Sequence, residues 1–236
     1  MGSGNEVRER MKKTFYTELA YLFGILALAL GSACFVRADF GMSMVVAPSY
    51  LLHLKVSEFL PFFTFGMAEY TFQAMLLVLL GLVLRKFKIS FLFSFFTAVF
   101  YGFTLDGMMF LVGFLPWTGL GARLLFFAVG TALACFGVSM VFHTYLPPEA
   151  YELVVKEIAG KFKLNINRCK TMYDCSSCLL AVVMSFVFYG FGHFEAFHWG
   201  TVVSALINGT IIGWVSGWLE KRYEFRDGWK LRKWFA

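Results

Sequence analysis

The chain has 236 residues, of which 59% are hydrophobic and only 15% are charged, against roughly 25% charged residues in an ordinary soluble domain. This composition excludes a soluble globular domain and predicts a membrane protein. The formal net charge of +6 is explained by topology and lipid headgroups, so it gives no reason to predict a nucleic-acid partner.

Six apolar segments are long enough to cross a bilayer as helices. Their apolar positions are continuous, whereas the strands of a transmembrane barrel alternate apolar and polar residues. We therefore predict an all-α membrane protein, because a backbone in lipid must satisfy its own hydrogen bonds. The predicted spans are 15–36, 61–84, 89–111, 122–142, 171–189 and 197–219.

The basic residues predict the orientation of these spans. With six spans, the N-terminal segment, the second and fourth loops and the C-terminal segment share one side, and they hold 18 of the 21 Lys and Arg residues. Only Arg37, Lys55 and Arg123 remain for the other side. The positive-inside rule then places both termini in the cytoplasm. We expect the basic tail, residues 220–236, to lie on the inner leaflet.

Polar breaks interrupt the apolar pattern after the first and fourth spans. In the first break, Gly41 allows a turn that other residues resist, and Ser43 is a candidate N-cap for a short helix that continues through 48–54. These breaks are either surface loops with interfacial helices or helices that dip into the bilayer, and the sequence leaves both open. The residues assigned to them as site or gate are Arg37, Asp39, Gly41, Ser43, His143, Pro147, Pro148 and Glu149.

The second break contains a helix start. Pro147 and Pro148 cannot continue a preceding helix but suit the first turn of a new one. Glu149 and Glu152 then lie near the positive end of that helix, where backbone N–H groups lack partners.

An internal repeat is indicated when the sequence is aligned with itself at a shift of roughly 105 positions. Gly31 then falls near Gly137, and Glu69 falls on Asp174. We interpret the chain as one transmembrane domain, 1–236, with one repeat at about 15–111 and a second at about 122–219. Three spans per repeat invert the second copy, an arrangement that many secondary transporters share. Duplication without a transport role is the alternative.

The predicted spans contain ionisable and polar side chains, which contact with lipid does not account for. A charge at mid-bilayer costs a few kcal/mol or more, so such residues usually face a cavity or a partner. An alternative for Asp106 and Asp174 is a wet position near the headgroups. The candidates for substrate or ion binding are Glu69, Asp106, Asp174, Gln73 and Asn208.

The cysteines offer a different chemistry. Cys175 and Cys178 form a C-S-S-C motif that, with Cys169, would suit a metal or a redox pair. The predicted cytoplasmic side keeps thiols reduced, however, and the chain lacks a second pair with zinc-ligand spacing. We therefore predict no metal, no cofactor and no catalytic residue.

Several short motifs are distributed along most of the chain. They are A-D-F-G-M-S at 38–43, Y-G-F-T-L-D at 101–106, P-P-E at 147–149, M-Y-D at 172–174 and W-G-T-V-V-S-A-L-I-N-G at 199–209. Taken together, these motifs resemble those of the YczE/YyaS/YitT group of bacterial polytopic membrane proteins. The resemblance implies a bacterial inner-membrane location and supplies no substrate and no catalytic residue.

The function that we predict is a small-molecule transporter or permease and not an enzyme. No G-x-x-x-x-G-K phosphate-binding motif occurs, so an ion gradient or an outside partner would supply the energy. The alternatives are a non-transporting scaffold or accessory subunit, and a membrane thiol oxidoreductase that uses Cys175 and Cys178. The expected partners are membrane lipids and a small-molecule or ion substrate, with a homo-oligomer left open.

Overall fold

The computed structural model describes residues 13–228. The basic residues before Lys13 and the tail residues 229–236 lie outside this range, and the inner-leaflet position of the tail stays a prediction. The elements in chain order are β1 Lys13–Tyr16, α1 Thr17–Ala38, α2 Ala47–Ser57, α3 Phe65–Leu84, α4 Ile89–Gly113, α5 Leu120–Phe142, α6 Ala150–Phe162, α7 Ile166–Tyr189, α8 Trp199–Arg222 and β2 Tyr223–Arg226.

Six of these helices, all except α2 and α6, are long and apolar enough to cross a membrane. The all-α membrane fold is thus confirmed, and the protein is a multi-pass membrane protein. The predicted boundaries lie within five residues of the observed ones, and the largest differences are at the start of the second span, residue 61 against Phe65, and of the fifth, residue 171 against Ile166. The first span begins at Thr17 and not at residue 15, because Phe15 belongs to a strand.

A two-stranded parallel ribbon, which the sequence analysis did not predict, joins the two ends of the described chain. Lys13 pairs with Tyr223 and Tyr16 pairs with Arg226. Both strands are rich in aromatic residues, which favour extended backbone. Phe15 packs edge-on against Phe225, with ring centroids 6.0 Å apart. We call this end of the helix bundle the ribbon end.

The helices α1 and α5 form the centre of the bundle and have the most extensive contact of any pair in the described chain. Glycines allow their backbones to approach closely. A Cβ atom added at Gly137 would lie 2.7 Å from the carbonyl oxygen of Gly24, and one added at Gly130 would lie 3.0 Å from that of Gly31. Small residues at a helix interface in lipid permit this close packing.

The two short helices lie among the spanning helices and not on the surface of the bundle. Both α2 and α6 pack against α3 and α7. Buried residues cover most of one face of α6, including Tyr151 and Leu153, and the start of α2 is buried at Ala47, Pro48 and Ser49. The breaks are therefore not surface loops, and their first turns reach the interior of the bundle.

Candidate functional site

The carboxyl group of Glu69 lies where the two short helices meet. Glu69 is in the second turn of α3 and is fully buried. The Ser49 hydroxyl, from the first turn of α2, bonds to its Oε1. The Tyr151 hydroxyl, from the first turn of α6, donates to its Oε2 at 2.8 Å. Thus one carboxyl group binds the beginnings of both short helices.

Gln73, one turn along α3, joins Glu69 to Glu149. Its Nε2 lies 3.2 Å from Oε2 of Glu69 and 3.3 Å from Oε2 of Glu149. Its Oε1 accepts a 3.0 Å bond from the backbone N–H of Ala150, the first residue of α6. That N–H has no partner within its own helix. One buried carboxamide therefore both caps α6 and bridges two carboxyl groups.

The electrostatics of this cluster are unusual for a membrane interior. The hydrogen bonds to Glu69 come from Ser49, Tyr151 and Gln73, all of them neutral groups. A carboxylate removed from water is costly unless a proton, a cation or a partner neutralises it. The positive ends of α2 and α6 supply part of that compensation. In this conformation Glu69 and Gln73 are closed to solvent.

In the second break, where the backbone is not helical, side chains of α4 form hydrogen bonds with the backbone carbonyl groups. Ser94 donates to the Pro148 carbonyl at 2.7 Å, and the Thr97 hydroxyl lies 3.1 Å from the Pro147 carbonyl. Such partners are what non-helical backbone needs at membrane depth. The prolines precede the helix: Glu149 is the N-cap and α6 begins at Ala150. The prediction that they form its first turn was wrong, because their carbonyls bond to α4.

The first break is held by α5 and by the segment before α8. Arg123 donates through Nε to the Ala38 carbonyl at 2.7 Å and pairs with the Asp39 carboxylate at 2.9 Å. Gly41 has φ of 99°, as its predicted turn requires. Met42 N–H donates to the Ala196 carbonyl at 3.0 Å. These bonds direct the chain back into the bundle after α1 ends.

Ser43 does not cap α2 through its side chain, contrary to the prediction. The N-cap residue is Val46, with no side-chain bond. The Ser43 carbonyl instead accepts from the backbone N–H groups of Val46 and Ala47. A backbone turn thus replaces the predicted hydroxyl cap.

The other predicted binding residues lie outside the Glu69 hydrogen-bond network. Asp106 binds the start of α3: its Oδ1 accepts from the Gly66 N–H at 2.8 Å and its Oδ2 accepts from the Thr64 hydroxyl at 2.6 Å. Asp174 pairs with Lys170 at 3.0 Å. Asn208 on α8 accepts a long contact of 3.6 Å from the Cys135 thiol. The structure therefore joins only Gln73 with Glu69 among the five candidates.

Two of the predicted gate residues bind the ends of helices. Arg37 donates to the Leu115 carbonyl at 3.0 Å. His143 ends α5, where its Nε2 lies 3.2 Å from Glu220 and its ring stacks on Phe225. His143 thereby ties α5 to α8 and to the ribbon, away from Glu69.

The thiols show no arrangement that points to redox chemistry. All five cysteines are free, with Cys175 exposed and Cys178 half-buried on α7. Within residues 13–228, no group of three or more His, Cys, Asp or Glu side chains has the geometry to hold a metal ion.

Sequence reasoning missed Ser49 and Tyr151, although both follow the prolines of a break. Ser is common at helix starts and Tyr is common throughout this chain, so neither residue type carries a signal alone. Their equivalent places near the starts of two short helices are the signal that the repeat pattern contained.

A protein-family model described as a family of unknown function (DUF6198) matches residues 15–217. No curated protein and no solved structure matches the chain. The match covers all six spanning helices almost completely and both short helices.

Proposed function

This chain belongs to the DUF6198 family of unknown function, and we propose that it is a small-molecule transporter or permease driven by an ion gradient. The observation that carries the proposal is the meeting of α2 and α6 at Glu69. Both helices are short, both follow a break in the apolar pattern, and both begin at this carboxyl group. Interrupted helices whose positive ends meet between repeats form the substrate and ion sites of many secondary transporters.

An inverted repeat is supported by contacts that exchange under one shift along the sequence. Residues 24 and 130, and residues 31 and 137, are each 106 positions apart. The contact of Gly24 with Gly137 therefore corresponds to that of Gly130 with Gly31. Likewise, α2 and α6 each pack against both α3 and α7. The exchange has two exceptions. The helix α3 packs along α4 whereas α7 and α8 scarcely touch, and α6 packs against α4 whereas α2 and α8 scarcely touch.

Glu69 is the residue that we assign to coupling. Its hydrogen-bond donors are neutral, so neutralisation of the carboxylate needs a proton or a transported cation. Either one would change how strongly Glu69 holds Ser49 and Tyr151. Binding at this carboxyl group would thus alter the attachment of both short helices, which is the link that gradient-driven transport requires.

A non-transporting scaffold is the second candidate, and one observation favours it. Glu69, Gln73 and Ser49 are each fully buried, so the centre is closed on all sides in this conformation. A transporter must open this centre to solvent on each side of the membrane alternately, whereas a scaffold keeps it closed. The two candidates therefore differ in whether Glu69 ever becomes accessible.

Carbodiimide labelling measures that accessibility without knowledge of the substrate. The full chain in liposomes is treated with dicyclohexylcarbodiimide, which modifies protonated carboxyl groups, and the adduct is located by peptide mass spectrometry. Transport predicts an adduct on Glu69 that is lost in Glu69→Gln. The matched control is Glu195→Gln, in the loop before α8, which should leave the Glu69 adduct unchanged. A chain that never acquires the adduct across pH 5–8 would favour the scaffold.

A further inference from the structure

An apolar cavity of about 450 Å³ differs from the Glu69 cluster in its chemistry, because no charged side chain lines it. It is formed by α1, α4, α5, α8 and the ribbon, and thirteen residues line it, among them Leu30, Met108, Leu133 and Trp218. The polar side-chain groups among these residues are the Trp218 indole N–H and the Tyr223 hydroxyl. Such a lining suits a hydrocarbon ligand.

The shape of the cavity selects among apolar ligands. Its lining follows α1 from the ribbon to Leu30, a distance of roughly 20 Å at about 1.5 Å per residue. A single extended hydrocarbon chain matches this length, and the apolar lining along it suits such a chain.

One end of the cavity suits a phosphate group. Trp218 lines the cavity at the ribbon end, and the exposed Arg222 guanidinium lies 5.6 Å from the centroid of the Trp218 ring. Trp residues are enriched at the level of the lipid headgroups. Arg is the side chain that best matches the geometry of a phosphate. An acyl chain in the cavity would thus extend from a headgroup at the ribbon end.

We propose that this cavity binds one acyl chain of a membrane phospholipid, with the lipid phosphate at Arg222. The inference is independent of transport, because none of the residues that form the Glu69 cluster lines the cavity. Bound lipid would fill the space between α1, α5 and α8 that protein side chains leave open.

Native mass spectrometry tests the proposal on the full chain, purified in detergent with added phosphatidylglycerol and oleate. One phospholipid per chain should survive detergent removal. Leu133→Trp and Leu30→Phe each add bulk to the cavity and should lower the retained fraction by about tenfold or more, since burial of about two methylene groups accounts for that factor. Arg222→Gln should weaken retention of the phospholipid.

The matched control is Leu206→Trp, which adds the same ring to a residue of α8 that is 75% exposed. It should retain lipid as the unmodified chain does, and thermal unfolding of all variants checks that they are folded. Equal retention in both cavity-filling variants would overturn the proposal, and so would equal loss in the control. Retention of oleate in place of phosphatidylglycerol would overturn the assignment of a phospholipid.

Discussion

The hydroxyl of Tyr151 donates a 2.8 Å hydrogen bond to Oε2 of Glu69, which anchors the second residue of α6 to the second turn of α3. Ser49 makes the equivalent connection from α2 to Oε1. The carboxyl group of Glu69 is therefore the shared attachment point of two helices, through Ser49 and Tyr151, which lie 102 positions apart in sequence.

Tyr151→Phe removes one donor to this carboxyl group and keeps the ring. We expect a loss of about 1–3 kcal/mol in the free energy of unfolding, because a buried acceptor loses its partner. Unfolding in detergent micelles measures the change. Tyr70→Phe is the control: no hydrogen bond of the Tyr70 hydroxyl occurs within the described residues, so its effect should be within about 0.5 kcal/mol.

Ser49→Ala and Tyr151→Phe should not be additive, since both side chains donate to one carboxyl group. We expect an interaction energy of about 0.5–3 kcal/mol in a double-mutant cycle. Additive effects would show that Glu69 does not link α2 to α6. Tyr70→Phe combined with Ser49→Ala provides an additive reference.

Gly137→Ala should separate the central helices. The new Cβ would lie 2.7 Å from the Gly24 carbonyl oxygen and 2.9 Å from the backbone nitrogen of Leu28, so α1 and α5 must move apart. Overpacking of this kind costs about 1–3 kcal/mol. Gly209→Ala on α8 is the control, because a Cβ there meets no atom within 4 Å. Thermal unfolding should therefore show a lower unfolding temperature for Gly137→Ala than for Gly209→Ala.

Cysteine-accessibility labelling should place Lys161 in the cytoplasm and Lys55 and Glu195 outside. The prediction follows from the uneven distribution of basic residues. Single-cysteine variants in a cysteine-free chain, treated with a membrane-impermeant maleimide on intact cells, report which positions react. Reaction of the Lys161 position from outside would reverse the assigned orientation.

Replacement of both Cys175 and Cys178 by Ser should leave the folded protein and its proposed transport activity nearly unchanged. Cys175 is exposed and Cys178 is half-buried, and both thiols are free. Thermal unfolding and the carbodiimide assay measure the outcome. Loss of activity in the Ser variants, restored by neither single reversion, would revive the thiol oxidoreductase hypothesis.

The spans were predictable because each one is a long apolar run, and length and apolarity are all that a bilayer demands of a helix. The breaks were also predictable, since Gly41 and the Pro147–Pro148 pair interrupt helices for reasons local to the backbone. The resemblance to the YczE/YyaS/YitT group stays a prediction.

The partners of each polar residue were not predictable from the sequence. Asp106 reads as a buried charge in a span, yet it bonds to the start of α3, 40 positions earlier. Glu69 is equally isolated in sequence but bonds to Ser49 and Tyr151. Helix packing determines that Asp106 caps one helix and that Glu69 binds two. Packing depends on contacts between residues distant in sequence, so the sequence pattern alone does not predict these roles.

The parallel pairing of Lys13–Tyr16 with Tyr223–Arg226 has a mechanical consequence. It fastens the first spanning helix of the chain to the last, so the polypeptide forms a closed loop at the ribbon end. If the two halves of the bundle rock against each other, the ribbon acts as the pivot, since the paired strands connect α1 to α8 there. The opposite end, where no strand pairing restrains the described helices, then makes the larger movement.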